Sequence, residues 1–413
     1  MIAALTKQDP IGTLGGGSLT LRRPGSVAVQ SPQIAALLED PAGLPDWWLR
    51  VTETGGPLVE PWRDDSRLVT FLWRGSARST RVWWGLDVPL ERMPGNDLWY
   101  ATRVMPSDLH TVYCLVHDGA EELPRDASGR GKSHVDATNP ARYRFVPDPH
   151  DPDDHDAWVS VLALPDAPPE PWLAPRPGVS PGTLTPERLD PLGREVVVYK
   201  PAGVPTAGLP VLVVFDGWVA REVQRIPTIL DNLIAAGEIP PLVALFVTSL
   251  TADRDEELSP ASAIREFVTG ELLPWARTTL GAGLDARANM IAGASRGGLT
   301  AAYIGLTAPD SFGAVISQSG SFWWPSEAPG QLVREVAQRP VADVRFYMDV
   351  GIFETYPAPG GVPSQVDMNR AMRDALRKRG YSVAYAEYSG GHDYVNWRRT
   401  FADGLIAVAG VRA

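Results

Sequence analysis

Cysteine is nearly missing from this sequence. One residue, Cys114, stands among 413, so no disulfide can close within the chain, and nothing points to an oxidising compartment. Long apolar runs are missing too: none reaches the roughly 18 residues that span a bilayer. The opening residues, MIAALTKQDP, lack a basic start followed by an apolar core. No secretory leader is expected, and the cytoplasm is the expected compartment. Positive charge is in deficit, with a formal net charge of −11. Nucleic acid and membrane surfaces are therefore not expected as partners, since both call for a basic face. Histidine is scarce, with 6 in the chain. No His/Cys/carboxylate set at metal-ligand spacing and no phosphate-cradling glycine loop occurs, so neither a metal nor a cofactor is expected.

What is present fits a folded protein: 44% hydrophobic and 21% charged residues. The length exceeds one ordinary core and suggests two domains. Residues 1–30, rich in Gly, Ser and Pro, read as a mobile arm. Residues 31–147 carry short β-like runs broken by turn signals, such as Leu68–Trp73, Arg81–Trp84, Leu98–Thr102 and Thr111–Val116. They predict an all-β, immunoglobulin-like sandwich without long helices. Its tryptophans, Trp47, Trp48, Trp73, Trp83, Trp84 and Trp99, are expected mostly in the core, and Cys114 is expected buried and inert. Residues 148–188, which begin Asp148-Pro149-His150-Asp151-Pro152 and include Pro168-Pro-Glu-Pro, read as a Pro-rich linker. From residue 189 to 413 apolar strands alternate with helical segments. That pattern predicts an α/β domain, a mostly parallel sheet with helices on both faces.

Within the α/β part, Gly293-Ala294-Ser295-Arg296-Gly297 is a G-x-S-x-G pattern, between a buried strand and a helix rich in small residues. In that context it reads as a nucleophile elbow of the α/β-hydrolase type, with Ser295 as nucleophile. A serine hydroxyl needs a base. Of the histidines His110, His117, His134, His150, His155 and His392, only His392 lies in this part, in a glycine-rich loop after an apolar strand. It is the candidate general base. The acid is expected after the strand Val344–Val350, which makes Glu354 the first choice. Asp367, at the start of the next helix, is the alternative, and Asp349 reads as structural. The oxyanion hole is expected from the backbone N–H of Arg296 and from Trp218 or Gly217, after the strand Val211–Phe215.

Several stretches resemble the enterochelin (enterobactin) esterase family, which hydrolyses siderophore trilactones to release iron. They are Arg254–Leu258, Glu271–Trp275, the elbow, Phe312–Trp324, Ser389–Asp393 and Trp397-Arg398; in the first half, Phe71–Arg74, Asp97–Tyr100 and Asp136–Pro140. The resemblance spans most of the chain from about Pro45. It implies Ser295 as nucleophile, His392 as base, and a small-molecule siderophore ester as substrate, with iron only as part of that substrate. The family loop D-G-x-x-W stands here as Asp216-Gly217-Trp218, with the tryptophan moved forward, and Thr355–Gln365 looks like an insertion.

A ferric catecholate is an aromatic anion, which makes Arg254 and Trp218, then Trp323, candidate substrate contacts. Arg221, Arg225, Arg296, Trp324 and Trp397 are further candidates. The sandwich is expected to cover the catalytic mouth. Alternatives on the same apparatus are a polysaccharide or feruloyl esterase and an acyltransferase. The non-enzyme alternative is a siderophore- or glucan-binding protein.

Overall fold

The computed structural model describes residues 29–149, 151, 154–189, 193–249, 254–260, 263–356 and 361–410. The expected arm lies outside them except for residues 29 and 30. The chain divides into two units. The first holds the described residues up to Pro169 together with Ile352–Glu354 and Tyr388–Asp393; the second holds the remainder.

In the first unit, β-branched and aromatic residues at alternate positions form strands. They are β1 (Leu58–Arg63), β2 (Ser66–Arg74), β3 (Thr80–Trp84), β4 (Val88–Arg92), β5 (Leu98–Pro106), β6 (His110–His117), β7 (Ser133–His134), β8 (Arg142–Phe145) and β9 (Ala157–Ala163). Their order is β1-β2-β5-β4-β3-β6-β9-β8, with β7 on β6, and the pairs are antiparallel. Strand β4 pairs with β3 through Val88–Leu90 and with β5 through Glu91 and Arg92, so it passes from one half of the path to the other. Val69 and Phe71 from β2 share one buried cluster with Val82, Tyr113 and Leu115 from the other half. Two sheet faces closing on one core give this pattern.

The first unit departs from expectation in two places. Helices Pro32–Glu39 and Leu44–Thr54 precede β1. In the second, Leu44, Trp47 and Val51 form an apolar stripe at helical spacing, which packs with Leu58, Leu72 and Leu98. Their tryptophan and leucine content suits strand as well as helix, and only the spacing separates the two. Strand β9 lies inside the stretch expected as a linker and pairs with both β6 and β8. Its alternating burial is that of an ordinary sheet strand; the prolines flank it and do not interrupt it. Cys114 is fully buried, and burial pushes its thiol up to about 12. Trp47, Trp83 and Trp99 are buried, and Trp48, Trp73 and Trp84 are half-buried.

The second unit contains β10 (Thr183–Leu189), β11 (Arg194–Lys200), β12 (Val211–Val214), β13 (Val243–Val247), β14 (Met290–Ala294), β15 (Ala314–Gln318), β16 (Arg345–Gly351) and β17 (Ser382–Tyr388). The order is β10-β11-β13-β12-β14-β15-β16-β17. Pairs from β13 to β16 are parallel, while β10 and β11 add an antiparallel edge. Successive residues of the apolar strands go to opposite faces: Val211 and Val213 join one cluster, Leu212 and Val214 the other. The expected helices form at Ile226–Ala235, Arg296–Thr307 and Gln365–Arg379, and the last begins at Tyr394. Strand β10 occupies the end of the expected linker.

Candidate active site

Ser295 follows β14, a fully buried strand in the middle of the sheet, and precedes the helix Arg296–Thr307. Its backbone sits at φ 56 and ψ −119, a conformation that costs a non-glycine residue about 1–3 kcal/mol. Surrounding hydrogen bonds hold it there. Ser295 N–H donates to Gln318 O at 2.8 Å, and Ser295 O accepts from Leu299 N–H at 3.1 Å and Ser321 N–H at 3.0 Å. The turn also needs bare backbone: a Cβ on Gly293 would lie 2.6 Å from Gly297 O. The hydroxyl stands at the N-terminus of the helix, where developing negative charge is favoured. Ser321 Oγ lies 3.3 Å from Ser295 Oγ, a neighbour that sequence reasoning did not identify.

The loop after β12 is held by a buried ion pair. Asp216 has φ 54 and accepts two hydrogen bonds from Arg254, Nε to Oδ1 and Nη2 to Oδ2, each 2.7 Å. Ser249 Oγ adds a third at 3.1 Å. Burial opposes the charge of Arg254, but the facing Asp216 carboxylate outweighs it and raises the guanidinium above its usual range. Arg254 is therefore a buried support of the loop carrying Gly217 and Trp218, with Nε and Nη2 on Asp216 and Nη1 3.2 Å from Asp255 Oδ1. A Cβ on Gly217 would come within 2.8 Å of the Phe246 backbone, so the loop runs tight against β13.

Arg296 is buried, with its guanidinium 3.8 Å from the centroid of the Trp324 ring. Its Nη2 donates to the Asp255 carbonyl. Burial, aided by the positive field of Arg254 and resisted by Asp255, pulls its pKa down to about 10. Trp323 and Trp218 are half-buried. Trp323 meets Trp324 edge-on at 6.3 Å, and Arg221 lies over Trp218 at 5.3 Å. Arg225 is exposed. Trp397 differs from the expected substrate-facing ring. It is 1% exposed, and its indole N–H donates to Ser319 Oγ at 3.0 Å, which makes it a core residue and not an open aromatic face.

His392 and Glu354 lie together in the first unit. His392 Nδ1 is 2.6 Å from Glu354 Oε2, and the glutamate side chain is 1% exposed against 27% for the histidine. Backbone bonds tie their segments: Ile352 N–H to Tyr388 O at 2.9 Å and Phe353 N–H to Gly390 O at 3.1 Å. Tyr388 Oη stands 3.5 Å from both Glu354 Oε1 and Gly391 O. Asp367, the alternative acid, has a different setting. Its N–H donates to Ser364 Oγ at 3.3 Å, and its Oδ2 accepts from that hydroxyl at 2.7 Å, an arrangement that caps the helix Gln365–Arg379. Asp349 is fully buried within β16. Among the described residues no group of three or more His, Cys, Asp or Glu could hold a metal ion, and no helix is long and apolar enough to cross a membrane.

Comparison with known proteins adds the family. Residues 192–408 match the family model described as "Putative esterase", and residues 68–173 match "Enterochelin esterase, N-terminal". The iron(III) enterobactin esterase of Dickeya dadantii is 30% identical over 422 positions, covering 90% of this chain and 94% of that protein. The chain belongs to the enterochelin esterase family. The iron(III) salmochelin esterase of Escherichia coli O6:H1 is 26% identical, covering 94% of this chain and 99% of its own. The crystal structure of the Shigella flexneri enterobactin esterase in the presence of enterobactin has a TM-score of 0.67 at 24% identity, over 88% of this chain and 97% of that one. The ferric enterobactin esterase of Salmonella typhimurium gives 0.68 at 24% identity. These two likenesses show the fold: an antiparallel β domain, then a mostly parallel sheet with helices. As a family member the chain is a carboxylic ester hydrolase.

Proposed function

We propose that the chain hydrolyses the ester bonds of a catecholate-type trilactone siderophore, ferric or iron-free, in the cytoplasm, so that iron is released. Ser295 Oγ attacks a lactone carbonyl, and His392 takes its proton. Glu354, on Nδ1, keeps the other ring nitrogen available as acceptor and balances the imidazolium that forms. The backbone N–H groups of Arg296 and Trp218 receive the oxyanion, each worth about 3 kcal/mol of transition-state stabilisation. Collapse expels the alcohol, which takes the proton from His392. Water, deprotonated by His392, then cleaves the acyl-enzyme and restores Ser295. Repeated cuts linearise the macrolactone and weaken its grip on iron.

The observation that carries the reading is the 2.6 Å His392–Glu354 bond in a chain whose elbow serine is held at φ 56. The substrate class rests on the relatives named enterobactin and salmochelin esterases. Trp218 and Trp323 are the proposed aromatic contacts. Arg254 is proposed to act through Asp216 on the oxyanion loop, while Arg296 supplies positive charge beside the serine. The test is incubation with ferric and iron-free enterobactin followed by mass spectrometry, with Ser295→Ala as control. Serine-dependent linear fragments are expected. Intact trilactone beside rapid cleavage of simple aryl esters would move the physiological substrate elsewhere.

A further inference from the structure

The loop carrying His392 is built into the sandwich. Strand β6 is buried along its whole length and pairs with β3 and β9 on its two sides. At its start His110 N–H donates to Ser389 O at 3.0 Å. The next residue, Thr111, donates its hydroxyl to Asp393 Oδ2 at 2.8 Å, across 282 positions of sequence. Both partners are fully buried. Asp393 directly follows His392, and its N–H donates to Gly391 O at 3.0 Å.

The backbones also meet with no room to spare. A Cβ on Gly391 would stand 1.9 Å from Gly85 O. A Cβ on Gly85 would meet Thr111 Oγ1 at 2.3 Å, Val112 O at 2.4 Å and Asp393 Oδ2 at 3.1 Å. On the other side of the histidine, Phe353, the neighbour of Glu354, is buried in the sandwich cluster with Leu86, Val88 and Leu109.

We propose that Thr111 is a positioning residue for the catalytic base: the sandwich, through the Thr111–Asp393 bond and the Gly85–Gly391 contact, sets where His392 stands. This rests on the assignment of His392 as base. A hydrogen bond from a buried group on a central strand to a buried group on the loop fixes that loop better than an exposed bond does, because water cannot take over either partner. Misplacing a catalytic group by about 1 Å costs on the order of 100-fold in rate.

The test uses the full chain and p-nitrophenyl butyrate. Thr111→Val removes the hydroxyl at nearly constant volume; it is expected to lower kcat about 10- to 100-fold with KM held within about twofold. Thr111→Ser keeps the donor and is expected to restore kcat to within about threefold of the parent. In a His392→Ala background Thr111→Val is expected to change the residual rate less than about twofold, since residues acting as one unit are not additive. Thr111→Ala, with less bulk, takes the place of the valine variant should that fail to fold. An unchanged kcat in Thr111→Val, or an equal loss in the His392→Ala background, would overturn the proposal. Full activity of His392→Ala itself would instead strike the assignment of the base, and the positioning role with it.

Discussion

The proposed nucleophile and its proposed base are held in opposite ways. Ser295 is placed locally. Strand, turn and helix are consecutive in sequence, and the groups that fix it come from the adjacent strand (Gln318), the following helix (Leu299) and the loop after β15 (Ser321). His392 and Glu354 are placed by distant chain. Their segments follow β17 and β16 but pack with the sandwich, through Thr111, Gly85, His110 and the core around Phe353. A turn can store strain only where its neighbours over-determine it, and the sheet does this for the serine. The loop of His392 is fixed instead by Thr111, Gly85 and His110, far away in sequence.

Removing the locally held partner has the largest expected effect. Ser295→Ala should lower kcat roughly 10⁴- to 10⁶-fold, measured by ester hydrolysis; retained turnover would break the comparison at its first term. The remotely held pair comes next. Glu354→Gln should cost about 10²- to 10⁴-fold in kcat, because it removes the carboxylate that orients Nδ1. Asp367→Asn should leave kcat within about threefold and cost at most about 1 kcal/mol of stability through its helix cap. The reverse ranking would transfer the acid role to Asp367.

The third expected effect is on stability in the sheet unit. Arg254→Ala strands Asp216 in a buried site and should destabilise the fold by about 3–5 kcal/mol, read by chemical denaturation.

The smallest effect is a pH dependence confined to the sandwich. His117 Nε2 lies 2.8 Å from His134 Nε2, and its Nδ1 lies 3.1 Å from Thr80 Oγ1. Burial first, then the neighbouring His134, pulls its pKa from 6.5 to about 4 against the weaker pull of Asp118. The unfolded chain therefore binds the proton at higher pH than the folded one. The contribution to stability is full above about pH 6.5, falls as pH drops towards about 4, and changes no further below that. Melting temperature followed over this window should decline less steeply in His117→Gln. An identical slope would remove His117 from the account.

The architecture was legible where the physics is local. Apolar strands alternating with helices predicted the sheet unit, because burial on both faces writes continuous runs such as Val211–Val214 and Val243–Val247. The elbow was legible because its glycines and serine are consecutive. His392 was singled out by elimination and Glu354 by its position after β16, and the two side chains stand 2.6 Å apart. The helix Leu44–Thr54 was hidden because its tryptophans resemble strand residues when periodicity is set aside. Strand β9 was hidden among prolines that flank it.

The remaining features are pairings between distant positions, which no local pattern encodes. Arg254 on Asp216 and Thr111 on Asp393 are of this kind. Asp216 alone carried a signal: a carboxylate placed at the end of an apolar strand calls for a cation.

The most direct test of the central proposal, Ser295 as nucleophile with His392 as its base, is labelling by a fluorophosphonate probe with peptide mapping by mass spectrometry. The account predicts a single adduct on Ser295, formed at least about 100-fold more slowly in His392→Ala. No adduct on the parent protein, or labelling at equal rates in the two proteins, would contradict it.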